Sequence, residues 1–351
     1  MTREQRKLDH IQYALELSDG DRRTGLEDVR FLHNCLTSVD PESVDVSTRI
    51  GNLVLPVPVF IDAITGGAAE AKEINRRLAA VAKRTGTAMA VGSQYGAVKA
   101  DRHEDTYAVI REENPDGIFF ANVSALASPE EAQAAVEMIG ADALEIHLNA
   151  AQELIMPEGD RKFSLIKENL ARLQDCVQVP VIVKETGCGM AAEQVRELQA
   201  MGFTCFNVAG FGGTSFPAIE AFRNQAARYD KFADWGIPTA WSLIDAAHAA
   251  QPWDTLIASG GIRSGWQAAK SIALGADAAA MSGNILAILL QQGDEEAVAY
   301  LRDVLADLKD IMVLTGSRTI RELQQVPLVF TGDALSFIRS RGYSAQFKRK
   351  R

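Results

Sequence analysis

Eight short apolar or β-branched runs, each followed by a polar turn and then a helical segment, constrain this chain more than any other feature. They are Val57 to Ala63, Thr87 to Gly92, Gly117 to Val123, Ala143 to Leu148, Pro180 to Glu185, Thr204 to Ala209, Thr255 to Ser259 and Asp277 to Ser282. Strands that are apolar on both faces belong to a parallel sheet covered by helices. Helices are predicted over Glu70 to Arg84, Ser128 to Ile139, Ala191 to Met201 and Ser264 to Leu274, several opened by a capping residue, as at Ser128-Pro129. Eight such units close most economically into an α/β fold of the (β/α)8 TIM-barrel type. A doubly wound sheet fits less well, because the first run leads into Ile64-Thr65-Gly66-Gly67 and not into a spaced G-x-G-x-x-G.

The chain of 351 residues divides into an N-terminal arm (1–55), a barrel core (about 56–290) and C-terminal helices (291–351), expected to form a single domain. The arm is strongly charged, with Ile11, Leu15 and Leu17 on one side of a helix that the SDGDRRTG stretch ends. Arg6, Lys7 and His10 lie within two turns of one another. Composition alone favours a solvated face there, and an anion-gathering cluster is the alternative. The connection from Gly210 to Asp254 is unusually long. It holds GFGGTSFP, a polar helix around Ala218 to Arg228 and a second helix from Pro238 to about Ala250, and it reads as a lid on the catalytic face. Beyond the eighth run come helices around Ile285 to Leu290 and Glu295 to Met312, then a basic end of Lys348, Arg349, Lys350 and Arg351, expected to be frayed and solvated.

A net charge of −10 argues against nucleic acid or an anionic membrane as partner, since both reward a basic face. Cys35, Cys176, Cys188 and Cys205 form no CxxC pair and no zinc spacing, so they read as reduced thiols of a cytoplasmic protein. The stretch MTREQRKLDHI has no apolar signal core, and no window approaches the ~18 apolar residues of a membrane span.

In a barrel, the carboxyl ends of all eight strands share one mouth. Here those ends carry Thr65-Gly66-Gly67, Ser93-Gln94, Asn122, His147-Leu148-Asn149, Lys184-Glu185-Thr186, Gly212 to Ser215, Ser259 to Arg263 and Met281-Ser282-Gly283. The fourth end runs on through Gln152 and Glu153 to a Pro-Glu-Gly-Asp turn, clustering imidazole, amide and carboxylate groups. Taken alone, His147 reads equally well as a satisfied core histidine and Glu153 as a solvated loop residue. A carboxylate beside an amide suits Mg²⁺, which takes one or two protein carboxylates and the phosphates of its substrate. Gly260 and Gly261 let backbone approach an anion, Arg263 adds charge, and Ala280 to Gly283 add further N–H groups, which together make a phosphate site. Lys184 would be a buried cation with three outlets: a Schiff base, a pair with Glu185, or an electron-rich cofactor ring. The phosphate cradle, Lys184 and the amides of Asn122 and Gln94 suit a flavin mononucleotide.

The sequence resembles the type 2 isopentenyl-diphosphate isomerases. The likeness runs through RKLDHI (6–11), TGG (65–67), GSQ (92–94), ANVSA (121–125), HLNAAQE (147–153), MPEGDRKF (156–163), VKETGCGM (183–190), GGTSF (212–216) and SGGIRSG (259–265), and covers nearly the whole chain. It implies an enzyme that interconverts isopentenyl and dimethylallyl diphosphate with reduced FMN, Mg²⁺ and NADPH as reductant, in a homo-oligomer of four or eight copies. It implies that Arg6, Lys7, His10, Ser93, Gln94, Tyr95, Asn149 and Gln152 contact substrate. Ala63, Ile64, Thr65, Ser93, Asn122, Lys184, Thr214, Gly260, Gly261, Arg263, Ala280 and Met281 would hold FMN, and Glu153 the metal. His147, Gln152 and Lys184 would serve catalysis. Ile64 stands where the family has Met, Tyr95 where an Arg is common and Ala209 where a Ser is frequent. Loss of an Arg at 95 shifts diphosphate charge onto Arg6, Lys7 and the metal. A flavin-dependent 2-hydroxy-acid oxidase is the rival enzyme class, but it needs a His base near the last strands, and His248 falls in a predicted helix. A non-catalytic flavin-binding regulator would be expected to show a degraded mouth.

Overall fold

The computed structural model describes residues 3–17, 22–100, 102–225, 227–346 and 349, without the side chains of residues 3–6, 8 and 100. Eight parallel strands close into a barrel: β1 (Val59–Ile61), β2 (Ala88–Ala90), β3 (Phe119–Ser124), β4 (Ala143–Leu148), β5 (Val181–Glu185), β6 (Cys205–Asn207), β7 (Thr255–Ala258) and β8 (Ala278–Met281). Seven lie inside predicted runs, and β3 runs one residue past its run, to Ser124. The ring closes where Ala279 on β8 pairs with Val59 on β1.

Alternate residues of each strand point into the barrel or out to the helices. Phe60, Ala88, Ala90, Phe120, Ala143, Ile182, Cys205, Ile257, Ala278 and Ala280 fill the inside, with Phe60 and Phe120 edge-to-face at 5.2 Å. An antiparallel hairpin, Thr48–Ile50 with Leu53–Leu55, closes the amino-terminal end by adding Ile50 and Leu55 to that cluster. Burial of a Phe, Ile or Leu stabilises by about 1.5–3 kcal/mol each, so plug and barrel form one core.

The helices begin where capping chemistry requires. Ser128 accepts from the Glu131 N–H while Glu131 accepts from the Ser128 N–H, fixing the start of helix Pro129–Ile139. Ser264 accepts from the Gln267 N–H ahead of helix Gly265–Ala273. In the long connection, helix Phe216–Arg223 stands over the mouth, followed by a 3-10 stretch Ala227–Asp234. Helix Thr239–Ala249 is instead almost wholly buried and belongs to the outer ring.

The arm helix, Arg3–Glu16, packs on helix Phe216–Arg223, and the segment after it pairs Val29–Phe31 with Leu328–Phe330. The basic end departs from expectation. Arg349 is buried and donates to Gly275 O and Asp277 Oδ2, both at 2.8 Å, and to Asp254 O. Two backbone carbonyls and the Asp277 carboxylate at the closed end of the barrel provide partners that no terminal charge run reveals. Lys348, Lys350 and Arg351 lie outside the described residues.

Candidate active site

A cavity of about 360 Å³ opens at the carboxyl ends of the strands. Lys7, His10, Ala63, Ile64, Thr65, Ser93, Tyr95, Asn122, His147, Asn149, Gln152, Glu153, Lys184, Thr214, Gly260, Gly261, Arg263, Ala280 and Met281 line it. Arg6 lies on the arm helix, with its side chain outside those described. Lys7 and His10 face the cavity, so these two side chains are not the solvated face that composition favours. Gln94 is the correction among the residues assigned to substrate. It is fully buried and does not line the cavity: its amide donates to Ala135 O at 2.9 Å and accepts from the Asn122 N–H at 2.9 Å. Position 94 lies four residues past the end of β2, where strand alternation no longer decides, and its side chain turns to the helix layer.

On the β6–β8 side the wall is mostly backbone. A Cβ on Gly260 would stand 1.9 Å from Gly210 O, and one on Gly261 2.2 Å from Gly212 O, with both residues at positive φ, so only glycine lets these loops touch. Arg263 donates to Gly261 O and Gly212 O, each at 2.9 Å, and fastens the two loops together. Helix Gly283–Gln291 starts without a side-chain cap, leaving its first N–H groups for a bound group. Across the mouth, Thr65 Oγ1 is buried with no partner among the described residues.

The β1, β3, β4 and β5 side is built from charge. Lys184 Nζ donates to Asp62 Oδ1 at 2.9 Å and lies 3.7 Å from Glu145 Oε2, all three groups being buried. Of the three outlets the sequence offered Lys184, the pair with Glu185 is excluded by alternation, since neighbours on a strand face opposite ways. Glu185 instead accepts from the Thr186 and Cys188 N–H groups and shapes the next loop. Burial works against the Lys184 charge, but Asp62 and Glu145 outweigh it and hold the ammonium above the usual lysine range. Burial pushes Glu145 up to about 8, although Lys184 opposes it. It also lowers His147 to about 3, with help from Lys184 and Lys7, so His147 is a neutral imidazole. Asn122 links them, donating to Glu145 Oε2 at 3.0 Å and meeting His147 Nδ1 at 2.7 Å.

At the rim, His10 Nε2 lies 2.7 Å from Glu220 Oε1, and Gln152 donates to the same oxygen at 3.4 Å. Burial opposes the Glu220 charge, yet His10 and Arg223 hold its carboxyl below the usual range. Asn149 donates to Gln152 and Glu153, the latter at 2.8 Å, and Glu153 also accepts from the Asp160 N–H. Lys7 Nζ donates to Ser93 O at 2.9 Å and to the buried Tyr107 hydroxyl at 2.7 Å. Tyr95, in the Arg position, takes a hydrogen bond from Lys99, which also lines the cavity. Among the described residues no group of three or more His, Cys, Asp or Glu side chains is placed to hold a metal ion by itself. His248 stacks on Tyr343 at 3.6 Å and does not line the cavity.

Asp62, Glu145, Glu220 and Tyr107 were not singled out from the sequence. Asp62 and Glu145 do interrupt apolar runs, and a carboxylate inside a buried strand needs a partner. Glu220 and Tyr107 sit in ordinary amphipathic helices and leave no such signal.

A parallel barrel with a glycine-lined anion cradle and a fixed lysine at its mouth defines the class of flavin-binding barrels. Residues 101–329 match the FMN-dependent dehydrogenase family. The chain is 43% identical to the isopentenyl-diphosphate delta-isomerase of Geobacillus sp. (strain WCH70), over 99% of both chains. It is 46% identical to the protein of that name in Bacillus cytotoxicus, over the whole of both. The chain therefore belongs to the isopentenyl-diphosphate delta-isomerase family, within the FMN-dependent barrels. Among solved structures, a mandelate oxidase variant with (S)-mandelic acid aligns with a TM-score of 0.66 at 17% identity, covering 93% of this chain and 94% of that one. That likeness shows the fold alone. No helix among the described residues is long and apolar enough to cross a membrane.

Proposed function

We propose that this protein interconverts isopentenyl diphosphate and dimethylallyl diphosphate in the cytoplasm, with reduced FMN and Mg²⁺ bound and NADPH as the source of electrons. The observation that carries this reading is one cavity joining a glycine cradle to His147, Asn149, Gln152 and Glu153. Its residues fit FMN. The orphaned Thr65 hydroxyl, the loops at Gly260 and Gly261 and the uncapped helix at Gly283 would hold the ring edge and phosphate, with Ala63, Ile64, Ser93, Asn122, Thr214, Ala280 and Met281 around them. When bound, reduced FMN supplies a ring nitrogen able to give and take the proton that an allylic shift requires.

The chain's own residues do the rest. Lys184 is a permanent cation, set by Asp62 to favour negative charge beside it. Lys7 and His10, with Arg6, meet the diphosphate from the arm, and Glu153 supports Mg²⁺ together with substrate phosphate oxygens. Gln152 and the neutral His147 orient the alkene, and helix Phe216–Arg223 excludes water by standing over the mouth. Isomerisation leaves no net redox change, so electrons are needed once and not at each turnover. A homo-oligomer of four or eight copies completes the proposal.

Glu153→Gln tests the division of roles. It keeps shape and deletes the carboxylate charge, so Mg²⁺-dependent turnover should fall while FMN still binds with its bound-flavin spectrum. Near-normal turnover at limiting Mg²⁺ would move the metal toward Glu158 and Asp160. Loss of FMN as well would make Glu153 a structural member of its loop.

A further inference from the structure

We propose that Glu145 is the positioning residue that fixes which nitrogen His147 presents to the cavity. Strand register brings the three side chains together. Asn122 on β3 pairs with Glu145 on β4, and His147 follows Glu145 by two residues, so all three side chains stand on one face. Asn122 then has two neighbours and two different ends. One neighbour is Glu145 Oε2 at 3.0 Å and the other is His147 Nδ1 at 2.7 Å.

A carboxylate oxygen accepts, so the amide NH₂ of Asn122 turns to Glu145 and its carbonyl turns to His147. Nδ1 of His147 must therefore carry the proton, and Nε2, toward the cavity, keeps a lone pair. Glu145 Oε1 is buried with no hydrogen-bond partner among the described residues, and the other groups facing this carboxyl are Asp62 from β1 and Lys184 from β5. A proton gained by Glu145 can sit on Oε1 toward Asp62, leaving Oε2 still accepting from Asn122. The lock thus holds on both sides of the Glu145 titration. His147 offers an acceptor throughout, suited to a substrate or cofactor N–H or O–H and not to a bare phosphate oxygen. The link from lock to turnover rests on the isomerase reading, whereas the lock itself does not.

Nitrogen-15 shifts of the His147 ring in flavin-free protein, measured from pH 6 to 9, read the tautomer directly. Wild type should show Nδ1–H and a bare Nε2 at every pH. Glu145→Met removes the acceptor, frees the Asn122 amide to turn, and should let the Nε2–H tautomer appear. In the flavin-loaded enzyme the same variant should lower kcat about tenfold, the scale of one lost orienting hydrogen bond. Glu145→Gln keeps an oxygen acceptor and should hold the wild-type tautomer, which decides the matter if the Met variant fails to fold. Nε2–H in wild type, an unchanged tautomer in Glu145→Met, or a released one in Glu145→Gln would each overturn the proposal. Loss of turnover with an unmoved tautomer counts against the lock, and a moved tautomer in a protein inactive as wild type counts against the isomerase reading.

Discussion

On the β6–β8 side of the mouth the groups that face the cavity are mostly backbone, held by glycine contacts and by Arg263. On β1, β3, β4 and β5 they are side chains, Asp62, Asn122, His147 and Lys184, with the buried Glu145 behind them bonded to Asn122 and close to Lys184. The backbone side tolerates no added atom but holds little charge of its own. The side-chain side tolerates shape changes but depends on its charges staying balanced. Steric substitutions should therefore injure the first side, and charge substitutions the second.

The largest effect should come from Lys184→Met. It leaves the Asp62 carboxylate buried without its cation, and removing one partner of a buried ion pair costs about 3–5 kcal/mol. Urea unfolding at pH 7 checks it; a loss below about 1 kcal/mol would mean that the carboxylate needs no counter-charge. On the opposite side, Gly261→Ala drives a methyl against Gly212 O. FMN affinity should fall by about a hundredfold as strain of 1–3 kcal/mol opens the cradle, measured by flavin fluorescence titration. Unchanged affinity would remove the cradle from the cofactor site.

These sides also differ in what the sequence discloses. Gly260, Gly261 and Arg263 are legible because their function is local: residue type and strand-end position suffice. The Lys184 partners are not, since Asp62 lies 122 residues away and is brought close only by barrel closure. Alternation alone could have ruled out Glu185. Gln94 was misread for the related reason that position 94 turns toward helix Pro129–Ile139 and not toward the mouth. The strands themselves were legible throughout, because burial on both faces demands the continuous apolar runs seen at each.

Gln94→Leu sharpens that point. With the Asn122 N–H left unpaired in the interior, stability should drop by about 2 kcal/mol while KM for substrate stays near wild type. A KM effect without loss of stability would return Gln94 to the substrate site.

A smaller effect concerns pH. Burial raises Glu145 from 4.5 to about 8, so its contribution to stability is complete below pH 4.5 and is lost as pH rises through about 8. Glu185, raised to about 7, acts with the same sign up to that pH. His147, lowered from 6.5 to about 3, acts oppositely: its contribution is present above pH 6.5 and lost as pH falls toward 3. Between pH 7 and 8, where stability should fall, Glu145 carries the larger part of the change, up to about 1.4 kcal/mol per pH unit, while Glu185 completes its smaller share. Glu145→Gln should flatten that interval in urea titrations, and an unchanged slope would assign the proton elsewhere.

The central claim is that both sides of the mouth serve one isomerisation. Protein loaded with FMN, reduced anaerobically and given Mg²⁺ and isopentenyl diphosphate should accumulate dimethylallyl diphosphate over many turnovers, with NADPH oxidised far below the amount of product. Oxidation of NADPH one-for-one with product, or no allylic isomer from folded, flavin-loaded protein, would contradict it.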